Sequence, residues 1–89
     1  MAKVEIYTSP FCGYCTRAKQ LLKSKNVAFE EINVFTTHGA RDEMVGRAHG
    51  HHTVPQIFIN GAHIGGCDEL YALDHHGELD PRLAEGAPA

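Results

Sequence analysis

The chain has 89 residues, 43% hydrophobic and 21% charged, with a formal net charge of −3. That length holds one domain (1–89) and no second, no apolar run reaches the ~20 residues of a membrane span, and the lack of any basic run removes the electrostatic footprint of a nucleic-acid partner. The opening Met1-Ala2-Lys3-Val4-Glu5 lacks the apolar stretch of a secretory signal, so a cytoplasmic protein is expected.

From Lys3 to Thr8, Val4 and Ile6 alternate with Glu5 and Tyr7 as in a strand, and Ser9-Pro10 ends it. A helix follows from Gly13, with Ala18, Leu21 and Leu22 as its apolar stripe and Asn26 as its stop. The next strand spans 28–33. Met44, Val45 and Ala48 then mark a shorter helix over 40–48, weakened by Gly46. Ile57-Phe58-Ile59, Asn60-Gly61 and Ala62-His63-Ile64 read as a hairpin, because Asn-Gly supplies the two positive φ values of a type I′ turn. Asp68 is placed as the cap of a helix carrying Leu70 and Leu73 and stopped by Gly77. Asp80-Pro81 then opens a short turn through Leu83, as a cap followed by proline at the first helical position, and the tail from Glu85 to Ala89 is expected to fray. The order βαβ followed by ββα predicts an α/β, thioredoxin-like fold: a four-stranded mixed sheet flanked by helices.

Three cysteines are too few for a disulfide framework, so Cys12-Gly13-Tyr14-Cys15 at the first strand-to-helix junction points to redox chemistry or metal binding. A helix starting at Gly13 puts Cys12 at its N-cap, where backbone N–H groups and the helix dipole favour negative charge on its sulfur. Cys15, one turn in, is more covered. The pair therefore divides into an attacking Cys12 and a resolving Cys15, while Arg17 and Lys19 receive no role. A zinc site is the rival, needing further ligands from Cys67 or the histidines at 38, 49, 51, 52, 63, 75 and 76, none of which has the spacing of a second half-site. His49-Gly50-His51-His52 reads as a solvated loop able to hold a stray metal ion, and His75-His76 as a complement to a helix C-terminus.

Three segments, VEIYTSPFCGYC, TVPQIFINGAHIGG and CDELYALDHHGELDP, resemble the glutaredoxins, most nearly the small bacterial dithiol type, over almost the whole chain. The resemblance implies a glutathione-dependent disulfide oxidoreductase in which Cys12 attacks the protein sulfur of a glutathionylated protein, or a low-molecular disulfide, and glutathione or Cys15 resolves the mixed disulfide. It implies a cis peptide bond before Pro55. It also implies a glutathione site formed by Tyr14, Thr53, Val54, Pro55, Gly66, Cys67 and Asp68, with Gly65 and Gly66 allowing close approach. Partners on this reading are glutathione and glutathionylated or disulfide-containing proteins, ribonucleotide reductase among the candidates, with no nucleic acid and no membrane. A thioredoxin-type donor is disfavoured by the absence of tryptophan.

Three positions depart from the family pattern. Gly13 stands where proline is commonest, and family members lacking that proline can hold a [2Fe–2S] cluster between two subunits, with the nucleophilic cysteine, here Cys12, and bound glutathione as ligands. A monomer is expected for disulfide exchange, a dimer with a cluster. Ser9 and His51 stand where basic groups often meet the glycyl carboxylate of glutathione, so glutathione affinity is expected to rise as a histidine at 51 protonates.

Overall fold

The computed structural model describes residues 2–86; of the expected frayed tail, residues 87–89 lie outside it. Its elements are β1 Val4–Thr8, α1 Gly13–Ser24, β2 Glu30–Asn33, α2 Ala40–Arg47, β3 Gln56–Ile59, β4 Ala62–Gly65, α3 Cys67–His75 and α4 Leu79–Ala84. The strands lie in the order β2-β1-β3-β4. β1 runs parallel to β2 and antiparallel to β3, and β3 pairs antiparallel with β4. Parallel β1 and β2 need a crossover, which α1 supplies.

All five residues of β1 are buried. Its alternation therefore separates two covered faces rather than a core face from a wet one. Val4 and Ile6 pack with Ala18 and Leu22 of α1, Ile57 and Ile59 of β3, and Leu70 of α3. Tyr7 packs on the other face with Phe58, Met44 and Ala48. The Asn-Gly hairpin is as expected, with φ of 52° at Asn60 and 81° at Gly61, and Asn26, at φ 58°, ends α1.

Three boundaries differ from the sequence reading. The first helical residue of α3 is Cys67 and its cap is Gly66, not Asp68. The Glu69 carboxylate accepts the Gly66 N–H at 2.7 Å, the return half of a capping box, so the acid three positions on closes the helix start without an Asp cap. Helix α4 begins at Leu79 rather than Pro81. Leu79 is fully buried, and proline lower in a first turn removes only an N–H that has no intrahelical partner. Strand β2 starts at Glu30 rather than Ala28, where its register with β1 begins at Glu5.

Polar groups on β1 are buried because distant side chains meet them. Arg47 of α2 donates to both Glu5 carboxylate oxygens, at 2.9 and 3.0 Å, and to the Tyr7 hydroxyl at 2.9 Å. Its guanidinium also lies 4.1 Å from the centre of the Phe58 ring. Tyr7 in turn donates to Glu43. The Arg47 hydrogen bonds, opposed by burial, hold the Glu5 carboxyl below its usual 4.5. A carboxyl depressed on folding adds stability above its unfolded pKa and loses that stability as pH falls through the folded value. Arg47→Leu is expected to cost about 1–3 kcal/mol at pH 7 by leaving buried acceptors unpaired. Urea melts of both chains should show this gap shrinking as pH falls below about 4.5; a gap that does not change between pH 7 and 3 contradicts it.

Candidate active site

Cys12 caps α1 with an extended backbone, φ −101° and ψ 108°, and its sulfur accepts the Cys15 N–H at 3.2 Å. The N–H aims positive charge at the sulfur, and the interaction strengthens as negative charge gathers there. Preceding it, Phe11 takes a left-handed φ of 59° and is fully exposed, so the turn between β1 and α1 lifts Cys12 to a half-buried position at the surface.

Cys15 is 2% exposed. Burial first, and then the hydrogen bond with Cys12, pushes its thiol up to about 12, against lowering influences from the Ser9 backbone and Lys19. The two thiols thus differ by environment, as their positions in sequence predict. Beneath them, Glu31 Oε2 accepts from Lys19 Nζ at 3.1 Å and from Thr8 Oγ1 at 2.8 Å. Lys19 and Glu31 line a cleft with Cys12 and Cys15. Sequence reading left Lys19 without a role, since its direction on the helix depends on where β2 places Glu31.

The peptide bond between Val54 and Pro55 is cis, and the Val54 carbonyl oxygen lies 3.9 Å from Cys12 Sγ. Beside it opens a groove of about 300 Å³ lined by Tyr14, Thr53, Val54, Pro55, Gly66, Cys67, Asp68 and Glu69. The structure thereby brings together all seven residues that the resemblance assigned to a glutathione site. Gly65, at φ 120°, has no room for a side chain, because a Cβ would fall 2.8 Å from Glu69 Oε1. At Gly66 a Cβ would meet the Pro55 carbonyl at 3.3 Å, which keeps the groove's two walls close. Cys67 is buried, and burial pushes its thiol up, only partly opposed by Arg17.

Two residues that shape the groove were not legible as such: Glu69, which lines it, and Gln56, which holds its Thr53 wall from behind. Glu69 could have been found from its spacing three residues after the helix cap. Gln56 donates through Nε2 to the Thr53 carbonyl at 3.0 Å and to its hydroxyl at 3.3 Å, fixing the loop that carries Val54; nothing local signals that bond. His51 does not line the groove, contrary to the carboxylate role expected for it. Its ring lies 6.0 Å from that of His63.

A family model described as glutaredoxin matches residues 4–64. The chain belongs to the glutaredoxin family. It is 58% identical over 83 residues to glutaredoxin 3 of Escherichia coli (strain K12), covering 93% of this chain and 99% of that protein. Among solved structures it resembles a buckwheat glutaredoxin–glutathione complex, with a TM-score of 0.87 and 32% identity over 99% of this chain and 83% of that one. It also resembles the holo form of glutaredoxin C1 from a Populus tremula hybrid, with a TM-score of 0.86 and 29% identity over 99% of this chain and 85% of that one. The fold is thioredoxin-like, and the protein is a glutathione-dependent thiol–disulfide oxidoreductase.

Two outcomes follow for this glutaredoxin. Limiting iodoacetamide at pH 7.5 is expected to label Cys12 first and to leave Cys15 and Cys67 intact, as peptide masses will show, because both are buried and hold their protons. Gly13, whose Cβ position is open space, follows an extended residue as proline requires. Gly13→Pro should therefore stabilise the reduced chain by about 0.4–1 kcal/mol, visible as a rise of a few degrees in Tm; a fall in Tm contradicts that reading of the helix start.

Proposed function

We propose that Cys12 is the nucleophile and Cys15 the resolving thiol, with glutathione seated in the groove between the Val54 loop and the start of α3. The observation that carries this reading is the placement of the Val54 carbonyl 3.9 Å from Cys12 Sγ at the edge of that groove. An extended cysteinyl unit lying there pairs with the Val54 backbone and presents its sulfur to Cys12. At the far end, the first N–H groups of α3 have no preceding turn to satisfy them and suit the γ-glutamyl carboxylate, while the exposed Asp68 suits the ammonium.

Because the groove seats the glutathione half of a mixed disulfide, Cys12 attacks the glutathione sulfur rather than the protein sulfur. The new bond is Cys12 Sγ to glutathione, the protein thiolate leaves, and it takes a proton from solvent. A second glutathione thiolate attacks the bound glutathione sulfur, releasing glutathione disulfide and returning the Cys12 thiolate. On a protein disulfide, Cys12 bonds to one protein sulfur while the other leaves as a thiolate and takes a proton from solvent. Cys15 then gives up its proton and attacks Cys12 Sγ, releasing the protein sulfur joined to Cys12 as a thiol and closing the Cys12–Cys15 disulfide. Two glutathione molecules, oxidised together to glutathione disulfide, reopen it.

A [2Fe–2S] cluster takes four thiolate ligands. Here only Cys12 is accessible, Cys15 and Cys67 being buried. Among the described residues no three His, Cys, Asp or Glu side chains are gathered to hold a metal ion. One chain offers a single accessible thiolate, so a cluster would need two chains and two glutathione thiolates, whereas disulfide exchange is the reading that uses both cysteines of one chain. One monomer carries both thiols and the groove, the substrates are glutathionylated and disulfide-bonded proteins, ribonucleotide reductase being a candidate, and a cytoplasmic glutathione pool supplies the electrons.

Glutathione-coupled reduction of hydroxyethyl disulfide tests the assignment. Cys12→Ser is expected to lower the rate on the order of 10³-fold or more, and Cys15→Ser to keep it within about threefold, since glutathione can resolve in its place. Asp68→Asn is expected to raise the KM for glutathione about tenfold, the scale of one charged hydrogen bond. Activity that survives Cys12→Ser overturns the assignment.

A further inference from the structure

The loop reading of His49-Gly50-His51-His52 misses where the chain sends these side chains. Helix α2 ends at Arg47, Ala48 caps it, and His49 and Gly50 both take left-handed backbones, φ 56° and 88°. This reversal, closed by the Gly50 N–H on the Val45 carbonyl at 3.0 Å, turns His49 back toward β4. There His63 stands opposite Phe58 in the sheet register. The two imidazoles meet at their Nδ1 atoms, 3.1 Å apart, with ring centroids 5.2 Å apart.

The tautomer of His63 is set by its neighbour. Gln56 spends its amide N–H groups on Thr53, so its Oε1 faces His63 Nε2, 2.7 Å away, and must accept. His63 Nε2 therefore carries the proton and Nδ1 carries the lone pair. Ring N–H to a fixed acceptor, with the other nitrogen free, is the arrangement that orients metal-bound histidines. Burial lowers the pKa of His63, with His49 and His51 adding to the effect and Glu69 opposing it, so the lone pair is kept at neutral pH.

We propose that His49 and His63 bind a divalent first-row transition-metal ion through their two Nδ1 atoms, at a site separate from the dithiol. Imidazole suits such ions. Two nitrogens at 2.0–2.1 Å from a tetrahedral zinc stand about 3.3 Å apart, so the observed 3.1 Å opens by a few tenths of an ångström. On binding, the His49 proton shared between the Nδ1 atoms moves to His49 Nε2, and no net proton need be released. With no third ligand assembled among the described residues, water fills the other positions and the site is exchangeable. His51, whose ring is 6.0 Å from that of His63, is the nearest further imidazole. The site lies on the sheet face covered by α2, where His63 packs against Phe58 at 5.2 Å, and not among the residues of the groove.

The test is a zinc titration of the untagged, ¹⁵N-labelled chain after oxidation, so that Cys12 and Cys15 offer no thiolate, followed by imidazole nitrogen NMR. One equivalent of zinc is expected to shift both Nδ1 signals of His49 and His63 and to move the His49 proton to Nε2, leaving His75 and His76 unchanged. His49→Gln, an exposed position outside the dithiol and the groove, should weaken zinc binding at least about tenfold while leaving glutathione-coupled reduction at the native rate. His75→Gln should leave zinc binding unaltered. Unmoved His49 and His63 signals, or an equal zinc affinity in His49→Gln, overturns the proposal whatever the enzyme's activity.

Discussion

Everything in this protein is hung on a five-residue strand that is covered on both faces. β1 lies inside the sheet between β2 and β3, with α1 and α3 packed on one side and α2 on the other. A strand in that position cannot slide by one residue without exchanging its two faces, and its polar side chains must find partners in the interior. Arg47 and Glu31 supply those partners for Glu5, Tyr7 and Thr8. The consequence reaches the chemistry directly. With β1 fixed, its carboxyl end fixes the turn that places Cys12 at the start of α1, and pairing with β3 fixes Val54 beside it.

The division of labour between the two thiols then needs no special device. Cys12 sits where a helix begins, and so faces an N–H that no earlier turn can satisfy. Cys15 is one turn further on, and the same helix buries it against the sheet. Three residues of spacing convert one helix start into one accessible sulfur and one protonated reserve. The groove beside them is built from backbone and small residues, because Gly66 lies against the Pro55 carbonyl where a side chain would intrude. A peptide-like ligand that pairs through its main chain needs such a wall.

Local patterns carried most of this in the sequence. The alternation of β1, the stripe of α1 and the Asn-Gly turn each record a backbone period or a required φ, and each is found where expected. What the sequence hid was non-local. Glu5 looks like the wet side of a strand and Thr8 like its polar end until Arg47, forty-two positions from Glu5, and Glu31, twenty-three from Thr8, are seen to meet them. The helix starts at Cys67 and Leu79 were misplaced because Asp68 and Asp80-Pro81 carry strong cap signals, while a glycine cap closed by Glu69 and a buried Leu79 won in three dimensions. The glutathione residues were placed by family resemblance, since no periodicity relates Tyr14 to Thr53 or Asp68. The meeting of His49 with His63 depends on a chain reversal after α2 and on the β3–β4 register together, which no short window of sequence contains.

The central claim is that one thiol, Cys12, works with one of the two clefts beside it: the groove along Val54 and α3, and not the larger cleft floored by Lys19 and Glu31. The most direct measurement is a crystal structure of the Cys15→Ser chain after reaction with glutathione disulfide. The account predicts glutathione joined to Cys12 Sγ, its cysteinyl unit paired with the Val54 backbone and its γ-glutamyl end at Asp68. Glutathione attached to Cys67, or joined to Cys12 but lying over Lys19 and Glu31, would contradict it.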